Sequence, residues 1–195
     1  RLGPSRDERE IYNTAFLADR AGNLLGTYDK TYLLAFGEYI PFGDIFPWLY
    51  QLSPYTSRFS SGTHTNSLQL GELKLGILIC YEDILPRFVR DVMAHQPDII
   101  INLTNDAWFG DTDEPLIHLA LATYRSVEHR RFMVRSTNTG ISAIIDPLGR
   151  VIAQTPTFEE ATLLIDVKGM QSGPTLYGRW GDWIAWLSLL GMVLW

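Results

Sequence analysis

The stretch that decides the fold is Leu73-Lys-Leu-Gly-Ile-Leu-Ile-Cys-Tyr-Glu-Asp83. Its first seven residues are mostly apolar, which is typical of a strand buried on both faces. Cys80 and a charged turn follow at once. A second apolar run, Asp98–Leu103, comes after a helix that is predicted to start at Pro86 and to end near His95. Short apolar strands with interposed helices predict an α/β layered fold.

The same alternation extends in both directions from this stretch. Upstream, strands are predicted at Tyr12–Ala18 and Leu24–Tyr28, on either side of a turn at Asp19–Asn23. Downstream, the predictions are a helix over Glu114–Arg131, strands at Met133–Ser136, Ser142–Asp146 and Val151–Gln154, and a last strand at Leu163–Val167. The apolar face of that helix is predicted to consist of Leu116, Leu119, Ala120, Thr123 and Val127.

Composition sets limits on the class of protein. The 195 residues are 46% apolar and 19% charged, which suits one ordinary folded domain with a sizeable core. The net charge is −6 and no cluster of Lys and Arg stands out, so a nucleic-acid partner has no support. A single cysteine, Cys80, excludes an intrachain disulfide.

Two apolar segments do not fit the pattern of a soluble domain. The segment 38–62 carries three prolines and seven large apolar side chains, and it is predicted to be a long loop. This loop either folds back over the core or dips into a membrane interface, where Phe42, Phe46 and Trp48 would contact lipid or substrate. The second segment, 183–195, is an uncharged Trp-rich run of 13 residues. It is either a buried core helix or the start of a truncated transmembrane helix, and the tryptophans favour the membrane.

Cys80, Lys30 and Glu38 are the candidate catalytic residues. A thiol at the end of a buried strand can act as a nucleophile near backbone N–H groups, although a lone cysteine is more often a small core residue. A lysine ammonium favours the thiolate, and a carboxylate can move its proton. Taken singly, Lys30 and Glu38 would more often form a solvated ion pair. His118, near the apolar face of the long helix, is interpreted as a structural histidine, and no histidine has metal-ligand spacing with Cys80 or with another histidine.

Four ordered motifs resemble those of the nitrilase superfamily, and in particular of apolipoprotein N-acyltransferases. They are Tyr28–Pro41 around the lysine, Ile79–Asp83 around the cysteine, Asn102–Gly110 and Arg135–Ser142. The match runs through roughly residues 11–182. The resemblance implies an α-β-β-α sandwich over 1–182, incomplete at its N-terminus, followed by the start of a transmembrane helix at 183–195.

The resemblance also implies roles for individual residues. Lys30 corresponds to the lysine of a Glu-Lys-Cys triad and Cys80 to its nucleophile. Glu38 corresponds to an accessory glutamate, and Tyr81 and Glu82 are expected to shape the pocket. The base glutamate belongs to a motif upstream of Arg1, so the chain alone is expected to be inactive. No metal and no organic cofactor is implied.

The expected reaction moves a fatty acyl chain from a membrane phospholipid, through a cysteine thioester, to the α-amino group of a diacylglyceryl apolipoprotein. The expected setting is the bacterial inner membrane, with a monomeric enzyme whose catalytic domain faces the periplasm. Two alternatives stay open at this point. One is a soluble nitrilase-type amidase that acts on a small amide, and the other is a catalytically dead module that binds lipid or protein.

Overall fold

The computed structural model describes residues 10–193, and these form two compact units that meet in the chain between Thr65 and Asn66. The first unit contains an antiparallel hairpin of β1 (Thr14–Ala18) and β2 (Leu24–Asp29). The Asp19 carboxylate accepts hydrogen bonds from the backbone N–H groups of Ala21 and Asn23, which closes the predicted turn. Both predicted strands of this unit are therefore confirmed.

The segment 38–62 follows this hairpin and is mostly irregular, as predicted. One short helix, α1 (Leu49–Leu52), interrupts it. Its large apolar side chains are mainly solvent-exposed, with Phe42 at 71%, Trp48 at 55% and Phe46 at 48%. The sequence therefore leaves an apolar surface on this segment, which is unusual for a side of a protein that faces only water.

The second unit is built on a six-stranded mixed sheet in the order β3-β4-β5-β6-β7-β8. The strands are β3 (Leu68–Leu70), β4 (Leu73–Ile79), β5 (Ile99–Thr104), β6 (Phe132–Thr137), β7 (Ala143–Ile145) and β8 (Val151–Gln154). The three central strands, β4, β5 and β6, run parallel, and the other neighbours pair antiparallel. Parallel strands end at the same edge of a sheet, so the residues that follow β4, β5 and β6 are brought together.

Helices cross between the parallel strands, as the strand–helix–strand pattern requires. They are α2 (Pro86–Met93), which has a proline in its first turn, and α3 (Glu114–His129). Leu78, Val89, Ile100 and Met133 are among the most completely buried side chains of this unit. The core therefore lies between the central strands and the helices that connect them.

The predicted apolar face of α3 is wrong. Of the five residues predicted for it, Leu119 is buried, Thr123 is half-buried, and Leu116, Ala120 and Val127 are exposed. The buried face instead carries Pro115, His118, Leu119, Ala122, Arg125, Ser126 and His129. His118 lies on this face because it pairs with two buried carboxylates, Asp83 and Asp106, and Arg125 pairs with Glu128.

The strand predicted at Leu163–Val167 is also wrong, because this segment forms no regular structure and Leu164 is 96% exposed. The chain ends in two helices, α4 (Leu176–Trp180) and α5 (Trp183–Val193). No residue of α5 is buried, so the core-helix reading of this segment fails for its described part; residues 194 and 195 lie outside the described range. Between residues 10 and 193, no helix has both the length and the apolar character that a membrane crossing needs.

Candidate active site

Cys80 lies directly after β4, at the carboxyl end of the parallel strands. It begins a short 3-10 helix (Cys80–Ile84), and its φ angle is 54°. A non-glycine residue in the left-handed region is uncommon, and such strain persists where the surroundings enforce it, often at functional sites. The Glu82 carboxylate helps to enforce this turn, because it accepts a hydrogen bond of 2.7 Å from the backbone N–H of Ile79.

The neighbouring strands hold the backbone of Cys80 from the other side. The side-chain amide of Asn102, in β5, donates a hydrogen bond of 3.3 Å to the Cys80 carbonyl oxygen. Arg135, in β6, donates in turn to the Asn102 amide oxygen at 3.1 Å. Asn102 and Arg135 are direct neighbours in the strand register, so the sheet itself fixes this chain of contacts.

A buried ionic network surrounds Arg135. Its guanidinium group lies 2.7 Å from the Asp83 carboxylate and 3.2 Å from that of Asp106. His118 links the same two carboxylates, at 2.8 Å from Asp83 and 3.3 Å from Asp106. All four side chains are at most 5% exposed. The network therefore connects the turn after Cys80 to β6, to the loop after β5 and to α3.

The charges of this network shift the pKa values of its members. Burial alone would lower the pKa of His118, but hydrogen bonds to Asp106 and Asp83 outweigh it and raise the pKa from 6.5 to about 9. Burial alone would raise the pKa of Asp106. The hydrogen bond from His118 and the charge of Arg135 outweigh burial, so the pKa of Asp106 is lowered overall. His118 is therefore a protonated structural histidine at neutral pH, which agrees with its interpretation as a satisfied structural residue.

Ligand-type atoms of Asp106, Glu114 and His118 lie within 4.8 Å of one another, which is close enough to consider a metal site. Arg135 already pairs with Asp106, and His118 is hydrogen-bonded on both ring nitrogens. A divalent cation there would face a guanidinium and an imidazolium group. Hydrogen bonding between the side chains therefore explains this cluster without a metal.

The raised pKa of His118 predicts a pH-dependent stability. Because the folded state holds the proton more tightly, the contribution is complete below pH 6.5 and is lost as the pH rises towards 9. The expected loss is about 3 kcal/mol of the free energy of unfolding. Urea denaturation at pH 6, 7.5 and 9 measures it. In His118→Gln, the free energy of unfolding should depend much less on pH over this range. Glu128 and His129 titrate in both proteins, so their contributions cancel in the comparison. An equal pH dependence in the parent and the variant would contradict the assignment.

The two motifs that follow β5 and β6 lie against each other. The Asn138 side chain accepts a hydrogen bond of 3.1 Å from the Asp106 backbone N–H and donates one of 2.5 Å to Asn105. Asn105 in turn caps the short 3-10 helix at Asp106–Phe109. Gly140 is required here, because a side chain at this position would collide with the Asp106 carboxylate. The polar residues of both motifs therefore serve to build this edge of the sheet.

In the first unit, Lys30 directly follows β2 and forms an ion pair of 2.7 Å with Glu38. The Lys30 side chain is 1% exposed and that of Glu38 is 15% exposed, so this is a buried pair rather than a solvated one. Glu38 also accepts hydrogen bonds from the Leu34 backbone N–H at 2.8 Å and from the Asn13 side chain at 3.2 Å. These contacts hold the carboxylate in one position and fix the ammonium group beside it.

The remaining predicted site residues are placed as follows. Tyr81 is half-buried, and Glu82 is completely buried in the turn after Cys80. The residues that sequence reasoning missed are Asp83, Asn102, Asp106 and Arg135. A signal for two of them existed, since Asn102 and Arg135 each follow a run of three apolar residues within their strands.

Comparison with known families decides the class. Residues 2–174 match the carbon-nitrogen hydrolase family. The chain belongs to that family.

Two solved structures have a fold similar to that of this carbon-nitrogen hydrolase. Nit3 from Saccharomyces cerevisiae, a member of branch 10 of the nitrilase superfamily, superposes with a TM-score of 0.58 and 20% identity over 80% of this chain and 53% of that one. An amidase from Nesterenkonia sp. AN1 gives a TM-score of 0.53 and 24% identity over 74% and 52%. The predicted nitrilase-like α/β fold is confirmed.

Sequence relatives narrow the resemblance within the carbon-nitrogen hydrolases. The apolipoprotein N-acyltransferase of Bdellovibrio bacteriovorus is 41% identical over 98% of this chain, and that of Geobacter metallireducens is 38% identical over 92%. The resemblance to apolipoprotein N-acyltransferases is therefore confirmed. The chain spans 37% and 34% of the length of these two relatives.

Proposed function

We propose that the chain is the acyl-transferring part of an apolipoprotein N-acyltransferase, with Cys80 as the nucleophile. The observation that carries the proposal is the placement of Cys80 at the carboxyl end of β4, in a left-handed turn that Asn102 and Glu82 hold. The names of the relatives support the reaction, and the amidase from Nesterenkonia sp. AN1 was solved with acrylamide added to its active-site cysteine.

In the first step, the Cys80 thiolate attacks the carbonyl carbon of a phospholipid ester. The ester C–O bond breaks, a thioester forms, and the released lysophospholipid alkoxide takes up the proton that the Cys80 thiol gave to the general base. The negative charge that develops on the carbonyl oxygen must be stabilised by a hydrogen-bond donor. The backbone N–H of Tyr81 and the Lys30 ammonium group are proposed to supply it. The ion pair with the Glu38 carboxylate holds the Lys30 ammonium group in one orientation.

In the second step, the α-amino group of a diacylglyceryl-cysteine attacks the thioester carbonyl. The C–S bond breaks, an amide forms, and the thiolate is restored as the amine gives up its proton to a base. The proposed base is a glutamate, which corresponds to the first member of the Glu-Lys-Cys triad. Tyr81 and Glu82 are proposed to shape the pocket around the thioester.

The function is tested by incubating the full-length protein with phospholipid and a synthetic diacylglyceryl-cysteine peptide. The expected product is a peptide with one more acyl chain on its N-terminal amine, together with an equal amount of lysophospholipid. Mass spectrometry of both products measures this balance. Hydrolysis of small amides without acyl transfer to the peptide would favour a nitrilase-type amidase instead, and neither activity would favour a binding module.

The exposed apolar segment 38–62 is proposed to enter the membrane interface beside the active site. A phospholipid ester lies at headgroup depth, so an enzyme that attacks it must reach that level. A cavity of about 770 Å³ in the same unit is lined partly by this segment, with Arg58 stacked 4.0 Å from the centre of the Tyr50 ring. The proposed location is the bacterial inner membrane, with the catalytic domain on its periplasmic face.

Phe46→Asp with Trp48→Asp is expected to slow acyl transfer from bilayer phospholipid by at least about tenfold, because two charges would oppose insertion of the segment. Transfer from a soluble short-chain ester should change by less than about twofold. The control is Leu148→Asp with Leu164→Asp, which adds the same charge at exposed apolar positions elsewhere. Equal losses on both substrates, or equal losses in the control, would remove the membrane role.

A further inference from the structure

The second unit contains a cationic cavity that the proposed acyl transfer does not use. It has a volume of about 170 Å³ and lies at the C-terminal ends of α2 and α3, beside α4. Its charged lining consists of Arg90, Arg131 and Arg179, and His129 also lines it. No Asp or Glu of the described residues lines this cavity, although the whole chain carries a net charge of −6.

His129 is the feature that points to a ligand. The residue is 4% exposed, and its Nε2 atom is buried without a hydrogen-bond partner in the described part of the chain. Burial and the nearby charges of Arg125, Arg131 and Arg90 lower the pKa of His129 to about 4, so the ring is neutral at pH 7. Buried polar nitrogen atoms are normally paired, so this nitrogen has an unfilled hydrogen-bonding position near the arginines.

Arg131 is held in one position by hydrogen bonds. Its Nε atom donates to the Pro97 carbonyl at 2.7 Å, and its two terminal nitrogens donate to the side chain and carbonyl of Ser172 at 2.7 and 2.6 Å. These acceptors are neutral, and Arg131 forms no ion pair among residues 10–193. Burial lowers the pKa of Arg131, and the charge of Asp98 partly offsets this effect. The cavity therefore has one guanidinium group that is fixed in position.

Arg90 and Arg179 have neither an ion pair nor a side-chain hydrogen bond within the described range. Arg90 packs against the backbone at Gly181, where any side chain would collide with its guanidinium group. Each arginine lies in the last turn of its own helix, where the helix dipole favours a cation. The dipole explains each position separately, but it does not explain why three guanidinium groups and an unpaired buried nitrogen converge on one cavity.

We propose that this cavity binds a phosphate group. Arg90 and Arg179 pair with its oxygens, Arg131 adds a fixed guanidinium group behind it, and the imidazole ring of His129 lines the cavity beside them. Guanidinium groups match phosphate oxygens in geometry as well as in charge. The volume accommodates one phosphate group and excludes a larger anion such as a nucleotide.

The favoured source of the phosphate is a phospholipid headgroup. Arg179 is followed by Trp180, Gly181 and Asp182. The next element is α5, which is uncharged and has no buried residue. An amphiphile with its phosphate in the cavity would have its acyl chains available to this exposed apolar helix. The site is distinct from Cys80 and does not depend on the acyl-transfer proposal.

The test measures binding of two probes to the full-length protein by isothermal titration calorimetry. The probes are inorganic phosphate and a short-chain phosphatidylglycerol below its micelle concentration. Arg90→Gln with Arg179→Gln is expected to weaken binding at least about tenfold. The control, Arg87→Gln with Arg20→Gln, removes the same charge from exposed arginines and should stay within about twofold. NMR of the histidine ring nitrogens gives a second measurement. The signal of His129 should shift when either probe is added.

Each outcome bears on the proposal. Tighter binding of the lipid supports a headgroup site, and equal or tighter binding of inorganic phosphate supports a site for the free anion. The site is overturned if neither probe binds the parent protein, if the two double variants behave alike, or if the His129 signal does not move on saturation. Formation of a Cys80 thioester from a soluble ester should be the same in parent and variants, so a failure here is separate from a failure of the acyl-transfer proposal.

Discussion

Arg135→Met is expected to lower the free energy of unfolding by about 3–5 kcal/mol, because it removes the only guanidinium group that pairs with the buried carboxylates Asp83 and Asp106 in the described structure. Both carboxylates are fully buried, and after the change His118 alone would compensate two negative charges. A loss of this size is a large part of the stability of an ordinary domain, which is about 5–15 kcal/mol. Urea denaturation of the full-length protein measures it.

Arg150→Met is the matched control. Arg150 also pairs with an aspartate, Asp146, at 2.6 Å, but its side chain is 71% exposed. The Asp146 side chain is only 6% exposed, but it keeps hydrogen bonds from the backbone N–H groups of Leu148 and Arg150 when the guanidinium is removed. A pair with one exposed partner contributes about 0–1 kcal/mol, so this variant should be nearly as stable as the parent. If Arg135→Met costs no more than Arg150→Met, the buried network does not hold the turn after Cys80, and the account of that turn is wrong.

The central sheet was predictable from sequence because its strands are buried on both faces. The runs Leu73–Ile79 and Asp98–Leu103 are almost continuously apolar, and this pattern leaves little choice of structure. The strand predicted at Leu163–Val167 shows where the argument fails. An apolar run forms a strand only if a neighbouring strand has free backbone groups to pair with it, and sequence pattern does not carry that information.

The candidate site was predictable only in part. Cys80, Lys30 and Glu38 were found because their chemistry and the motifs around them are recognisable locally. The positions of Asp83, Asp106 and Arg135 were not, because their partners are far apart in the chain. The same fact explains the wrong face of α3. His118 faces inward because it pairs with two carboxylates from other segments of the chain. A hydrophobic pattern contains no information about such partners.

Cys80→Ala is expected to abolish acyl transfer, with a loss of at least about 10³-fold, because no other group in the proposed mechanism can form the covalent intermediate. Cys80 is half-buried, and alanine fits its volume, so the fold should be retained. The buried network around Arg135 does not involve the sulfur. Stability to urea should therefore be close to that of the parent, which separates a chemical loss from unfolding.

The most direct test of the central claim is the intact mass of the full-length protein after incubation with phospholipid and without an acceptor peptide. The account predicts one added acyl chain, located on Cys80 by peptide mapping, released by hydroxylamine and absent in Cys80→Ala. An added acyl chain that persists in Cys80→Ala, or a folded parent that transfers acyl chains without ever carrying one on Cys80, would contradict it.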